Sequence, residues 1–238
     1  LGSLLMIKII HQIYIQGYEA MNEHLQKYCM MWMRMYGKDW EYKFWSDEEL
    51  LPFVKENYPD LYDIYKNLVP VKKSVLSRLL ILHHYGGMHV DCDTIPIKRI
   101  DSLIEKYDDF GAIHCWETES DESWKKDIKQ DFLKFNFPLN PTTENKIIGS
   151  AWLYTKPKQD FLIDFINDAK HREDQPVLLH FSTWYYTIWL LENQIDKKNM
   201  KILEPDYCLS VVPTDKSYCI HLYDFGWRDN TKKPWEVI

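Results

Sequence analysis

Two aspartates one residue apart, Asp91 and Asp93, close the run GGMHVDCD. Carboxylates at that spacing, just past the end of a strand, can converge on one ligand. Hard cations such as Mn²⁺ and Mg²⁺ take oxygen donors and keep waters or phosphate oxygens in their shell. A cation held there would cancel the charge of a diphosphate and stabilise it as it departs. Asp-x-Asp alone is common in solvated turns, so its setting decides. Asp91 is flanked by Val90 and Cys92, and the motif follows a Gly-Gly stop and a helix carrying Arg78. Ser74 and Arg78 lie four apart and share a helix face. The helix is otherwise apolar, through Val71, Val75, Leu76, Leu79, Leu80 and Leu82. An arginine on such a helix either snorkels to water or pairs with an anion. Two aspartates arriving soon afterwards favour the anion.

Those side chains need a frame. Residues 6–15 are short and rich in isoleucine, which predicts a buried strand. Residues 18–36 predict a helix ended by Gly37, and residues 40–45 a second strand. Ser46 and Glu49 form a capping-box pattern at the start of another helix. Pro70 opens a helix that runs to about Tyr85, where Gly86-Gly87 stops it. Residues 88–90 are a short buried strand leading into Asp91. Residues 110–116 and 146–154 read as strands, and 161–169 and 184–192 as helices. Residues 117–141 are polar and irregular around Trp124, and 200–223 alternate short strands with turns. Strands and helices alternate through the first 115 residues, which predicts an α/β fold with a mostly parallel sheet covered on both faces. In such sheets ligands bind beyond the carboxyl ends of the strands, where Asp91 and Asp93 fall.

Composition narrows the function. The 238 residues are enough for one domain with a sizeable core. The net charge of −7 offers no counterion-release affinity for a phosphate backbone, so no nucleic acid partner is expected. The five cysteines are odd in number and form no CxxC pair, which argues against a disulfide framework or a structural zinc. A reducing, cytoplasmic location is expected. No stretch reaches the roughly 20 apolar residues that span a bilayer, and the start lacks a signal peptide's apolar core. A soluble enzyme peripheral to the membrane fits that pattern.

The string KSVLSRLLILHHYGGMHVDCDTIPIK, residues 73–98, resembles the signature of glycosyltransferase family 32: Ser-Asp-x-x-Arg, a helix, then Gly-Gly-x-Tyr-x-Asp-x-Asp. KIIHQIYIQG, residues 8–17, is similar to the family's opening strand, and IHLYDFGW, residues 220–227, to its closing His…Ser-Trp element. The resemblance implies a single GT-A-type domain, a Rossmann-like mixed sheet flanked by helices. Residues 1–115 would form the donor half, and 116–238 the acceptor half and closing segment. It implies a UDP- or GDP-sugar donor, Mn²⁺ or Mg²⁺, and retaining transfer to a glycan, lipid-linked or protein acceptor.

Carried over by position, Asp93 is the direct metal ligand. Asp91 contacts the ribose, the sugar or the metal, and Arg78 the sugar or diphosphate. These three are the catalytic candidates. Tyr14 stands where the family has a base-packing Trp and keeps a stacking face. Ile13 and Ile15 flank the base through their backbone. Ser74 and Cys92 belong to the same donor-binding set. His89 stands where Tyr is usual. His221 and Trp227 close over the diphosphate, with His221 as a metal or phosphate contact.

Two departures matter. Val75 occupies the place of the family's Asp, which implies an altered sugar specificity, such as a deoxy or otherwise modified sugar. Gly226 replaces the Ser before Trp227.

Other residues compete for roles. His11, inside the first strand, reads as a satisfied core histidine, and His83-His84 as surface or supporting residues. His114, Cys115, Trp116, Glu117, Glu119 and Asp121 are candidates for the acceptor side. No P-loop, GxGxxG or Ser-His-Asp order is present. A non-catalytic nucleotide-sugar or carbohydrate-binding protein of the same fold is the alternative. A two-metal phosphohydrolase would want more ligands than this cluster offers.

Overall fold

The computed structural model describes residues 6–117, 146–172, 174–175 and 177–223. The strands are β1 (Ile9–Ile13), β2 (Glu41–Trp45), β3 (Gly87–Val90), β4 (Thr94–Pro96), β5 (Ala112–Trp116), β6 (Ile148–Thr155), β7 (Met200–Leu203) and β8 (Cys219–His221). Six of them make one sheet in the order β2-β1-β3-β6-β5-β7, while β4 and β8 pair separately. β1 runs parallel to β2 and β3, and β5 runs parallel to β7. β6 is antiparallel to both its neighbours. The sheet is therefore mixed, with one reversed strand in an otherwise parallel set.

The principal helices are α1 (Glu23–Tyr36), α2 (Asp47–Asn57), α3 (Pro59–Asn67), α4 (Pro70–Tyr85), α5 (Asp101–Lys106), α6 (Asp160–Ala169) and α7 (Thr183–Glu192). One face of the sheet packs with α2, α3, α4, α6 and α7 around Leu76, Leu80, Phe165 and Leu153. The other packs with α1 and α5 around Trp32, Tyr36, Ile104 and Trp152. The period of two is visible in β6, where Trp152 and Tyr154 join one core and Leu153 the other.

Local chemistry sets the ends. Ser46 and Glu49 form the expected reciprocal cap on α2. Pro59 and Pro70 occupy first-turn positions of α3 and α4, where a missing N–H costs nothing. α4 is buried nearly all round, from Lys72 to Leu82 except Ser74, as expected of a helix packed on several sides. It ends at Gly86 and Gly87, whose φ values of +66° and +94° favour glycine. A Cβ on Gly87 would also lie 2.6 Å from the Ile9 carbonyl oxygen. Gly87→Ala should therefore destabilise the fold by at least ~2 kcal/mol, a drop of about 4–8 °C in melting temperature. An unchanged melt would contradict this account of the β1–β3 approach.

His11 is a satisfied core histidine, as its place in the strand predicts. Its Nε2 lies 2.9 Å from the Gly86 carbonyl, and Trp45 Nε1 donates to its Nδ1 at 3.2 Å. Both contacts fit only the neutral ring with its proton on Nε2. Burial, partly offset by the Gly86 hydrogen bond, lowers its pKa to about 4. Burial lowers His114 and His180 to about 3. A lowered histidine pKa means the unfolded chain binds a proton that the folded one refuses. The contribution of these three histidines should then be level above pH ~6.5 and fall as pH drops toward 4, with His11 alone contributing about 3 kcal/mol. Melting temperature against pH checks this, and His11→Gln should flatten the slope. A profile as steep in the variant as in the native chain would remove His11 from the explanation.

Candidate metal centre

The carboxylates are placed by the pleat and by a turn. Val90 packs into the core with Trp32, and Cys92 packs with Leu25 and Cys29 of α1. The alternate residues, His89 and Asp91, face the other way, toward Arg78 on α4. Beyond β3 the chain turns within four residues: Thr94 N–H donates to the Asp91 carbonyl at 3.2 Å, and the Thr94 hydroxyl at 2.6 Å. Residues one apart in such a turn project to one side, which is why Asp91 and Asp93 converge. The turn is anchored from three directions. Asp91 N–H donates to Ala151 of β6 at 2.9 Å. The buried Gln12 amide donates to the Asp91 carbonyl at 3.3 Å and accepts from the Tyr42 hydroxyl at 2.7 Å. Trp32 Nε1 donates to Thr94 at 3.1 Å.

β4 starts at Thr94 and pairs with β8 so that Thr94 lies opposite His221. Leu222 N–H then donates to the Asp93 carbonyl at 3.0 Å. This pairing brings His221 Nε2 to 3.3 Å from Asp93 Oδ2 across 128 residues of chain. Asp91, Asp93 and His221 each present one ligand atom, and all three atoms lie within 4.8 Å of one another. Two carboxylates and an imidazole, with no thiolate, suit Mn²⁺ or Mg²⁺, and the imidazole nitrogen tilts the set toward Mn²⁺. Cys92 is not part of this set, since its Sγ lies 3.5 Å from the Ile13 carbonyl.

Electrostatics divide the cluster. Arg78 Nη2 holds Asp91 Oδ1 at 2.9 Å, and the Arg78 side chain is only 6% exposed. Burial pushes the Asp91 pKa up, and Arg78 pulls against it. Burial and then Arg78 push His89 well down, so His89 is a neutral neighbour of Asp91 at 3.6 Å. Burial works against charge on His221, but the Asp93 hydrogen bond and charge outweigh it, and its pKa is raised.

The other expected residues fall at different distances from this cluster. Tyr14, half-buried just past β1, packs beside Cys92 and Cys29. Ile13 is a core residue, and Ile15 packs partly against the same core while its carbonyl accepts from Asp47 N–H. Ser74 is half-buried one turn before Arg78. Trp227 and Gly226, like Glu119, Asp121 and Trp124, lie outside the described residues.

On the acceptor side the structure corrects one expectation. His114 and Cys115 are fully buried, because β5 is an interior strand between β6 and β7. Glu117, just past the strand, is linked to His221 through Tyr223. It accepts from the Tyr223 hydroxyl, and the Tyr223 ring lies 3.9 Å from that of His221. Sequence reasoning missed Gln12 and Tyr42. A glutamine inside an otherwise apolar strand was the available signal for the first.

Residues 22–109 match the family model described as the glycosyltransferase sugar-binding region containing the DXD motif. The mannosyl phosphorylinositol ceramide synthase of Saccharomyces cerevisiae is 34% identical over 235 residues, covering 93% of this chain and 50% of that protein. The initiation-specific alpha-1,6-mannosyltransferase of the same yeast is 34% identical over 80 residues, 32% of this chain and 16% of that one. These matches support the resemblance to glycosyltransferase family 32. The chain spans about half the length of the first of these relatives. Its fold is GT-A. The PaToxG glycosyltransferase superposes with a TM-score of 0.51 at 15% identity, over 80% of this chain and 71% of that one. Mouse xyloside xylosyltransferase 1 gives 0.51 at 10% identity, over 91% and 97%. The DXD of the family description is Asp91-Cys92-Asp93, the only such tripeptide within residues 22–109.

Proposed function

We propose that this chain transfers a glycosyl group from a UDP- or GDP-sugar to an acceptor hydroxyl, assisted by Mn²⁺ or Mg²⁺. The observation that carries this reading is the convergence of Asp91, Asp93 and His221 beside a buried arginine with unused donors. Arg78 spends Nη2 on Asp91, while its Nε and Nη1 have no partner among the described residues. Buried donors of this kind are costly unless a ligand meets them.

Asp93 and His221 would hold the cation, with Asp91 as a third ligand or a contact to the ribose. When bound, the cation neutralises the diphosphate and acts as a Lewis acid toward it as leaving group. Arg78, locked by Asp91, directs its free N–H groups at the sugar and the diphosphate oxygens. Tyr14 offers a ring face to the base, beside the backbone of Ile13 and Ile15. Ser74, His89 and Cys92 support this donor side. Residues 1–115 act as donor half and 116–238 as acceptor half, with Glu117 and Tyr223 on the acceptor side.

Among the described residues the pocket beyond Arg78 is lined by no Asp or Glu, and this reading takes transfer to need no covalent glycosyl-enzyme. The acceptor then attacks from the leaving-group face, and a diphosphate oxygen takes its proton. Positioning and charge stabilisation supply the rate. The yeast relative's name points to a glycolipid acceptor, reached at a membrane face. No helix among the described residues is long and apolar enough to cross a membrane.

A thermal-shift series tests the reading. GDP or UDP with Mn²⁺ at about 100 times its Kd should stabilise the protein by ~2.7 kcal/mol, a rise of about 5–10 °C. Neither nucleotide should do so in chelator. No shift with either would overturn the proposal. A shift without transfer to any acceptor in a broad panel would favour the binding-protein alternative.

A further inference from the structure

Asp91 and Asp93 share one turn, whereas His221 reaches them from β8, so its aim needs support of its own. A histidine that binds a metal is normally steered by a hydrogen bond from its other ring nitrogen. His221 lacks that device: its Nδ1 is buried and has no hydrogen-bond partner among the described residues. The ring is met instead by Tyr223, whose ring centroid lies 3.9 Å from that of His221 at an interplanar angle of 38°.

Side chains two residues apart in an extended strand share a face but stand about 6.6 Å apart. The closer approach here comes from the backbone of Tyr223, whose φ is +54°. That left-handed conformation is unusual for a bulky side chain and persists only where surrounding contacts impose it. Two contacts do so. Leu222 N–H donates to the Asp93 carbonyl at 3.0 Å and fixes the chain just before the turn. The Tyr223 hydroxyl lies between the Glu117 carboxylate and the Leu209 carbonyl, 3.1 Å from the latter. A hydrogen bond to a carboxylate is among the stronger kinds. The turn folds the tyrosine back over the imidazole, and the hydroxyl pins it there. Asp93 Oδ2, 3.3 Å from His221 Nε2, meets one edge of the imidazole while Tyr223 meets its face.

We propose that Tyr223 is a positioning residue for the metal centre: its ring, anchored through the hydroxyl on Glu117 and Leu209, holds the His221 imidazole aimed at the cation. The inference rests on the reading of Asp91, Asp93 and His221 as a metal site.

Mn²⁺ is the probe. Its binding is read from the loss of the free ion's EPR signal on titration into the protein, with and without GDP or UDP. Tyr223→Asn removes the ring and leaves a side chain that tolerates the left-handed turn. It should weaken Mn²⁺ binding by about tenfold to a hundredfold, the range for a residue that orients a metal ligand. Tyr223→Phe keeps the ring and removes only its anchor. A smaller, severalfold loss is expected there, the size of one hydrogen bond, and this variant covers the case in which the asparagine variant does not fold. The His221→Ala background separates positioning from a general loosening of the site. A residue that acts only through His221 should have no further effect once the imidazole is gone. Equal weakening by Tyr223→Asn in both backgrounds would overturn the inference, as would native affinity in either Tyr223 variant. If the native chain takes up no Mn²⁺ in either titration, the metal-site reading falls and takes this inference with it.

Discussion

Asp93→Ala is expected to abolish Mn²⁺-dependent stabilisation by GDP or UDP and to lower transfer by about a hundredfold to a thousandfold, or ~2.7–4 kcal/mol of transition-state stabilisation. The side chain is 14% exposed and its Oδ2 meets His221 Nε2, so its removal deletes one ligand and loosens another. The fold around it should persist. Leu222 N–H donates to the backbone carbonyl of residue 93, and Thr94 stays tied to Asp91 and Trp32, none of which needs the carboxylate. The variant's melting temperature without nucleotide should therefore lie close to that of the native chain. Asp93→Asn, which keeps the shape, should behave the same way toward nucleotide. A variant that retains full Mn²⁺-dependent binding would show that the cation sits elsewhere.

Arg78→Ala should cost both stability and activity. Breaking a buried ion pair by removing one partner costs about 3–5 kcal/mol. Asp91 keeps 28% of its side-chain exposure, so solvent screens part of the orphaned charge and ~2–3 kcal/mol is expected. At this chain length that corresponds to about 4–12 °C in melting temperature. Transfer should fall by at least about a hundredfold, because the free Nε and Nη1 donors leave with the guanidinium. The double variant Arg78→Ala/Asp91→Ala separates the two effects. It removes the stranded carboxylate and should recover much of the stability, yet none of the transfer. Arg78→Lys keeps the charge without the planar fork and should be nearly as inactive. Full activity in Arg78→Lys would assign the residue a purely structural role.

The elements that carry strong local signals were legible from residue types alone. Pro70 and Gly86 bound α4, the Ser46–Glu49 pair caps α2, and the short apolar run before Asp91 is β3. The Asp91–Asp93 pair drew its meaning from that frame, and the buried Arg78–Asp91 contact agrees with the reading of an arginine on an apolar helix. Other features lay beyond local pattern. β4 and β8 have three residues each, too few to show a period, so the pairing that delivers His221 rested on resemblance. α3 begins at Pro59 after Asn57 and Tyr58, a sequence that reads as a break until proline's tolerance at a first turn is weighed. The reversed direction of β6 is a property of tertiary pairing and not of its composition. His114 illustrates the same limit: whether a residue near a strand end faces solvent or core depends on its neighbours in the sheet. The role of Gln12 needs a contact 79 residues away.

Anomalous diffraction from crystals grown with Mn²⁺ and either GDP or UDP tests the central claim most directly. The account predicts a manganese peak within coordinating distance of Asp93 and His221, shared with the diphosphate oxygens, and the nucleotide base against Tyr14. A bound nucleotide with no manganese at Asp93, or a manganese peak remote from Asp91, Asp93 and His221, would contradict it.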